Sequence, residues 1–298
     1  MNKGYTLILV TLFYIIAFWV GAMVVVVLKD SVNMITNLFI GTSVSTIVIY
    51  LINIFIKNAS VYDPYWSVQP IFLIFTYYFV YSGPVTFIMI HLIILVPLIF
   101  WAVRLTLNWG SEFTGLDYED WRYKMIKSKL KNGFVRELAV FFGIMYIPTI
   151  VVFFTVTPLF NSFMARGDNQ LLFYILGAFV TLGGVILETI ADTQMSSFRQ
   201  KKTGTNIDTG LWHFSRHPNY LGELLVWTGI FIASLNYFKT INIVGIIVVY
   251  ALFLFISIPM AEKRYITKYP TYLEYKNTTS MLIPWPKRKQ GTEEVEKV

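Results

Sequence analysis

The chain has 298 residues and no cysteine, so disulfides, thiolate metal sites and cysteine nucleophiles are excluded. Charge is scarce too: Asp, Glu, Lys and Arg make up 14% of residues, against about a quarter in an ordinary soluble domain. No G-x-S-x-G elbow surrounds Ser215, which leaves a serine hydrolase without its strained turn. No soluble dinucleotide-binding fingerprint is present; the adjacent glycines of "TLGGVILE" lie inside an apolar stretch and read as close helix packing. No repeat of fixed period occurs.

Hydrocarbon fills the chain instead: 56% of residues are hydrophobic and 17% aromatic. Apolar runs occupy 5–28, 36–56, 68–82, 85–107, 134–158, 171–191, 220–236 and 241–260. A helix needs about 20 such residues to cross ~30 Å of hydrocarbon, and the third and seventh runs are short. The expectation is an all-α, multi-pass transmembrane helix bundle of about eight spans, or seven. The first run lacks a small-residue cleavage site and exceeds the ~7–15 apolar residues of a secretory core, which predicts a retained anchor. Residues 1–60 then form an N-terminal transmembrane hairpin, 61–286 a membrane domain, and 287–298 a charged, disordered tail.

The net charge of +7 is unevenly spread. Eight spans put both termini on one side. That side collects Lys3, Lys57, seven basic residues between 104 and 136, four between 199 and 216, and eight after 260. Lys29, Arg166 and Lys239 fall opposite. The positive-inside rule therefore predicts cytoplasmic termini, with the polar loops 108–133 and 192–219 beside them, in a bacterial inner membrane or the endoplasmic reticulum. Membrane lipids, and no nucleic acid, are the partners this surplus implies.

Polar chemistry gathers at two places on that side. In "LETIADTQMSSFR", Glu188 and Asp192 are four apart and share a helix face, with Arg199 two turns on. Ionisable groups at the end of a span mark either a polar cavity or a helix end stabilised by structural ion pairs, and both readings stand. In "HFSRHPNYLGE" (213–223), Pro218 predicts a helix start. Arg216 and His217 then precede the helix, Asn219 and Tyr220 lie in its first turn and Glu223 follows one turn on. A helix N-terminus beside arginine suits an anion such as phosphate. His213 and His217 are four apart, but Pro218 interrupts a shared helix and no glutamate follows the first histidine, so no metal site is expected. Early in the chain, "VYDPYWSVQP" carries Asp63 and Gln69 among aromatic residues that ordinarily anchor an interface. Residues 114–129 read as an amphipathic surface helix, and His91 as a helix–helix contact.

These stretches, with "TGLWHFSRHPNYLGELLVWTGIFI" and "EKRYITKYPTYLEYKNTTSMLIPW", resemble the steroid 5α-reductase superfamily, in particular its multi-pass branch that carries the same C-terminal domain, from about residue 60 to 286. The R-H-P-N-Y core recurs in the related sterol C14 reductases and, more loosely, in the isoprenylcysteine methyltransferases. The resemblance implies that 61–286 is a reductase-like domain holding NADPH in a cavity open to the cytoplasm. Its reaction would be reduction of a carbon–carbon double bond conjugated to a carbonyl in a lipid-soluble substrate: sterol, polyprenyl or enoyl lipid. By that resemblance Asp192 and Arg199 match a cofactor-contacting pair, Asn219 and Glu223 match another, and Arg216, His217 and Tyr220 match an R-H-x-x-Y pattern lying against the cofactor. Glu188 stands where the steroid enzymes have asparagine. Gln69 is the nearest counterpart of their catalytic glutamate, Tyr78 and Tyr81 are candidates for its tyrosine partner, and "SIPMAEKRY" replaces a cofactor histidine. The acid that steadies the enolate oxygen would be a tyrosine or Asp63. The chain is thus expected to be an NADPH-dependent oxidoreductase acting on CH–CH groups. The alternatives are a prenylcysteine-type methyltransferase using S-adenosylmethionine and a non-catalytic lipid-binding protein. The basic residues Arg199, Lys201, Lys202 and Arg216 favour a phosphate-bearing cofactor over S-adenosylmethionine.

Overall fold

The protein is seen in a computed structural model that describes residues 3–82, 89–164, 170–239 and 242–288. Among these residues every regular element is helical, and strand pairing is limited to an isolated parallel bridge between Ser215 and Ser280. The α-helices are α1 (Lys3–Val27), α2 (Met34–Ile56), α3 (Tyr65–Tyr77), α4 (Leu92–Glu112), α5 (Trp121–Lys129), α6 (Gly133–Leu138), α7 (Ile147–Met164), α8 (Gln170–Gln200), α9 (Leu211–Phe214), α10 (Pro218–Ala233), α11 (Asn242–Leu252), α12 (Ile258–Lys268) and α13 (Tyr272–Thr278).

Three stretches are π-helical: Tyr78–Ser82 extends α3, Ala139–Tyr146 joins α6 to α7, and Phe253–Ser257 joins α11 to α12. The two joints sit just ahead of Pro148 and Pro259. Proline has no N–H to donate and displaces the carbonyl four residues earlier, so the backbone re-pairs one residue further. Ile147 N–H accordingly donates to the Phe142 carbonyl and Ile258 N–H to that of Phe253.

With these joints closed, six helices among the described residues are long and apolar enough to cross a membrane: Lys3–Val27, Met34–Ile56, Met89–Glu112, Gly133–Met164, Gln170–Gln200 and Asn242–Lys268. The chain is an all-α, multi-pass membrane protein. The remaining two expected spans are helical as well, α3 with its π turn reaching about 27 Å and α10 about 24 Å. Four helices outrun the apolar runs, α4 to Glu112, α7 to Met164, α8 to Gln200 and α12 to Lys268. Polar residues end an apolar run without ending a helix. Part of the run expected from 85, Arg166, and 289–298 of the expected tail lie outside the described residues.

Two compact units emerge, Met1–Ala178 with Ile230–Gly245, and Phe179–Gly229 with Ile246–Val298. In the first, α1 and α2 meet through small residues: a Cβ on Gly21 would lie 2.1 Å from Ser45 Oγ and 2.6 Å from the Gly41 carbonyl oxygen. Backbone approach of this kind replaces the hydrophobic effect, which lipid cannot supply, with dispersion contact. Residues 114–120 are not helical as expected. Their backbone is held by Asn58, whose amide donates to the carbonyls of Leu116 and Tyr118, and by Ser60, whose Oγ accepts from Asp120 N–H. Helix α5 starts only after Asp120, which caps it through Arg122 N–H.

Candidate functional site

In the second unit the chain is steered into α10 by short-range contacts. Gly210 has φ +60°, and a Cβ there would lie 2.6 Å from the Gln194 amide. That amide's oxygen accepts from Leu211 N–H (3.0 Å) and starts α9. Trp212 then donates from Nε1 to the Ala191 carbonyl (3.1 Å), pinning the turn to α8. Helix α10 begins at Pro218, the start expected from the sequence. His213 and His217 face different partners: His213 Nδ1 meets Asp208 Oδ1 at 3.1 Å, whereas His217 Nε2 meets Glu262 Oε1 at 3.3 Å.

Glu262, from α12, is the centre of a buried charge group. Its Oε1 accepts from Arg216 Nε (2.7 Å) and its Oε2 pairs with Lys276 Nζ (2.8 Å). Arg216 Nη1 also donates to the carbonyls of Lys276 and Thr279, each at 2.6 Å. Burial holds the His217 imidazole below its ordinary pKa despite the carboxylate, so the neutral ring donates from Nε2. Its other side stacks on Tyr220, with ring centroids 5.3 Å apart and 10° between planes. Tyr275 donates its hydroxyl to the Trp212 carbonyl and binds that of Ser215 at 3.2 Å. Burial lifts its pKa, so the proton stays for those bonds. Arg216 is therefore the clamp that joins α10, α12 and α13.

The other candidates lie where α8 and α10 touch. A Cβ on Gly184 would stand 2.6 Å from the Gly222 carbonyl oxygen, and one on Gly222 would stand 2.6 Å from Glu188 Cβ. Gly184, Glu188 and Asp192 recur every four residues on one face of α8, and Asn219, Gly222 and Glu223 share one face of α10. The glycine contact therefore sets the two polar faces against each other. Glu188 and Glu223 are buried, Asp192 and Asn219 half-buried. Glu223 Oε1 accepts from Trp227 Nε1 (3.0 Å). Asn219 Oδ1 is buried without a hydrogen-bond partner among the described residues. Arg199 is exposed at the end of α8. Along that end runs a cavity of about 240 Å³ lined by Thr193, Gln194, Ser197, Phe198, Lys201 and Thr209.

Asp63, Gln69, Tyr78 and Tyr81 belong to the first unit, which divides them among four hydrogen-bond groups. Asp63 accepts from the Tyr123 hydroxyl and lies 4.0 Å from Arg122 Nη2. Burial raises its pKa to about 6 against the pull of that guanidinium and that hydroxyl. Gln69 donates from Nε2 to the Thr149 carbonyl (3.0 Å), beside a Thr46, Thr149 and Tyr62 hydroxyl chain, and its Oε1 has no partner among the described residues. Tyr78 Oη meets His91 Nδ1 at 2.6 Å, and Tyr81 Oη accepts from Asn37 Nδ2 at 2.6 Å.

The sequence reading missed Glu262, Lys276 and Tyr123. The first two stand in the quoted "EKRYITKYPTYLEYKN", where two charges inside an otherwise uncharacterised motif were the available signal; Tyr123 carried none.

The profile of the family described as "Protein of unknown function (DUF1295)" matches residues 49–279, most of the chain and every candidate from Asp63 to Lys276. The chain belongs to this family. Within the DUF1295 match lie both the glycine contact and the Glu262 group. An uncharacterised protein of Schizosaccharomyces pombe is 24% identical over 274 residues, covering 80% of this chain and 76% of the yeast protein. No solved structure matches.

Proposed function

We propose that this DUF1295 protein is an NADPH-dependent reductase of the steroid 5α-reductase superfamily, with its cofactor side toward the cytoplasm and a lipid-soluble enone as substrate. The observation that carries the reading is the Gly184–Gly222 contact, which sets the Glu188 and Asp192 face against the Asn219 and Glu223 face. Buried carboxylates in a membrane helix pair are costly and mark function by default. The cofactor fits the groups present. Asn219 Oδ1, an acceptor in want of a donor, suits a carboxamide or ribose hydroxyl, and Asp192 a second hydroxyl. Lys201 with Ser197, Thr193 and Thr209 lines a cavity of about 240 Å³, below the ~300–1,000 Å³ of ordinary ligand pockets, which suits a phosphate end and not a whole dinucleotide.

Bound NADPH would supply hydride to the substrate's double bond. The chain's own part is to hold the cofactor. Arg216 acts through the Glu262 group, fixing the start of α10 so that Asn219 and Glu223 keep their register. In the first unit, Asp63 has an acid's pKa, and the Tyr123 hydroxyl donates to it.

A methyltransferase using S-adenosylmethionine is the second reading, favoured by one observation. Glu262 already meets the charges of Arg216 and Lys276, while Glu188, Asp192 and Glu223 add carboxylates suited to a sulfonium. Thermal stability of the purified protein in detergent separates the two, since a ligand at ~100 times its Kd adds about 2.7 kcal/mol. NADPH should raise the midpoint more than NADH, and Asn219→Leu and Lys201→Glu should each reduce the rise. Stabilisation by S-adenosylmethionine alone would overturn the reductase reading.

A further inference from the structure

Beyond α13 the chain turns back along the start of α10. Arg216 N–H donates to the Ser280 carbonyl (2.9 Å), Ser215 Oγ to that of Leu282 (2.7 Å), and Trp285 N–H to that of Phe214 (3.0 Å). Arg288 N–H closes the stretch on the Thr278 carbonyl (2.9 Å), and Lys287 pairs with Asp208. Residues 279–288 are thus a strap, irregular in conformation and pinned along its length.

The side chains it turns outward are apolar. Met281 is 38% exposed, Ile283 68% and Trp285 67%, and Phe214 (44%) in α9 and Leu273 (55%) in α13 are exposed as well. Positions 281, 283 and 285 thus put three large apolar side chains at the surface within five residues. None of the five lies in a membrane-crossing helix. Their place is nonetheless close to the end of such a helix: Arg216, which the strap holds, is tied to Glu262 in the helix that ends at Lys268. Lys263, Lys268 and Arg288, in the same C-terminal stretch, are exposed. Between 260 and 288 there are six basic residues and two acidic ones; Glu262 and Lys276 pair with each other and Lys287 with Asp208. Exposed apolar residues including tryptophan, within a basic stretch, are the composition of a segment that lies in the headgroup layer.

We infer that residues 279–288 are an interfacial strap that rests on an anionic leaflet, with Met281, Ile283 and Trp285 entering the acyl boundary and the exposed basic residues meeting lipid phosphates. Because the strap's backbone holds Phe214, Ser215 and Arg216, lipid contact would steady the entry to α10. The inference stands apart from the reaction proposed above.

The absence of cysteine makes the test direct. Ile283→Cys in the full chain creates one thiol for a polarity-sensitive fluorophore, and Thr205→Cys, in an exposed loop, is the comparison. Both are reconstituted in nanodiscs of phosphatidylcholine with or without phosphatidylglycerol. In anionic discs the label at 283 should be shielded from aqueous iodide several-fold relative to that at 205, and quenched by lipids carrying a nitroxide near the headgroup. Adding Lys268→Glu and Arg288→Glu should reduce that shielding. Equal iodide quenching at both positions, or shielding indifferent to phosphatidylglycerol, overturns the strap. Shielding that requires two copies per disc overturns it in favour of self-association. Ile283 is exposed, so an unchanged thermal midpoint is expected and verifies that the variant is folded.

Discussion

Asp63 shows how much of a residue's chemistry comes from its surroundings. Burial lifts its carboxyl to about 6, although Arg122 and the Tyr123 hydroxyl pull the other way and Asp120 adds to the rise. A carboxyl with a higher pKa folded than unfolded binds its proton more tightly in the folded chain. Its contribution to stability is therefore full below about pH 4 and lost as pH rises through about 6. A rise of that size corresponds to roughly 3 kcal/mol, and the side chain is 19% exposed, so screening removes little of it. Asp63→Asn stays neutral and still accepts from Tyr123. Thermal midpoints of parent and variant should diverge between about pH 4 and about pH 7, with the variant gaining. Parallel curves across that window would show that Asp63 is not held as a raised acid. In the sequence Asp63 was visible as an ionisable group at a span entrance. Its pKa was not, because Tyr123 and Arg122 lie some sixty residues on and no local pattern pairs them. Arg216 makes the same point: its position ahead of a helix was readable from Pro218, but its partner Glu262 is 46 residues downstream.

At the scale of elements, apolar length and proline were the readable signals. Each of the eight apolar runs has a helix where expected, since lipid leaves a backbone no other way to pair its polar groups. Helix ends and π joints were not readable, because both depend on which donors and acceptors survive near a proline or a charged turn. Close packing at "TLGGVILE" was read from two glycines, and the structure separates their roles. A Cβ on Gly184 meets α10 at 2.6 Å, whereas one on Gly183 meets nothing within 4 Å among the described residues. Gly184→Ala and Gly222→Ala should each cost about 1–3 kcal/mol through overpacking and also weaken NADPH binding, by moving the polar faces apart. Gly183→Ala, one residue away on the same helix, should change neither the thermal midpoint nor the ligand response. If Gly183→Ala and Gly184→Ala behave alike, the α8–α10 contact is not what positions the site.

For the whole molecule the open quantity is how many helices cross. Six satisfy length and apolarity, while α10, at 16 residues, spans about 24 Å of a hydrocarbon layer near 30 Å. A short helix can still cross by local thinning of the bilayer, at fractions of a kcal/mol per Å, and charge favours that outcome. With α3 and α10 both crossing, the basic residues around 122–131, 199–216 and 263–288 fall on one side, and Lys29 and Lys239 on the other. Without α10, the positions before and after it would share a side, and the basic C-terminal region would have to cross to the side of Lys29 against the positive-inside rule. Single cysteines at exposed Asp30, Lys124, Thr205, Phe238 and Glu274, in a chain with no other thiol, report this through a membrane-impermeant maleimide. In intact cells or right-side-out vesicles, Asp30→Cys and Phe238→Cys should label, while Lys124→Cys, Thr205→Cys and Glu274→Cys should label only after the membrane is opened. Protection at 238 together with labelling at 274 would mean that α10 re-enters without crossing, and the polar faces of α8 and α10 would then need a different solvent side from the one proposed.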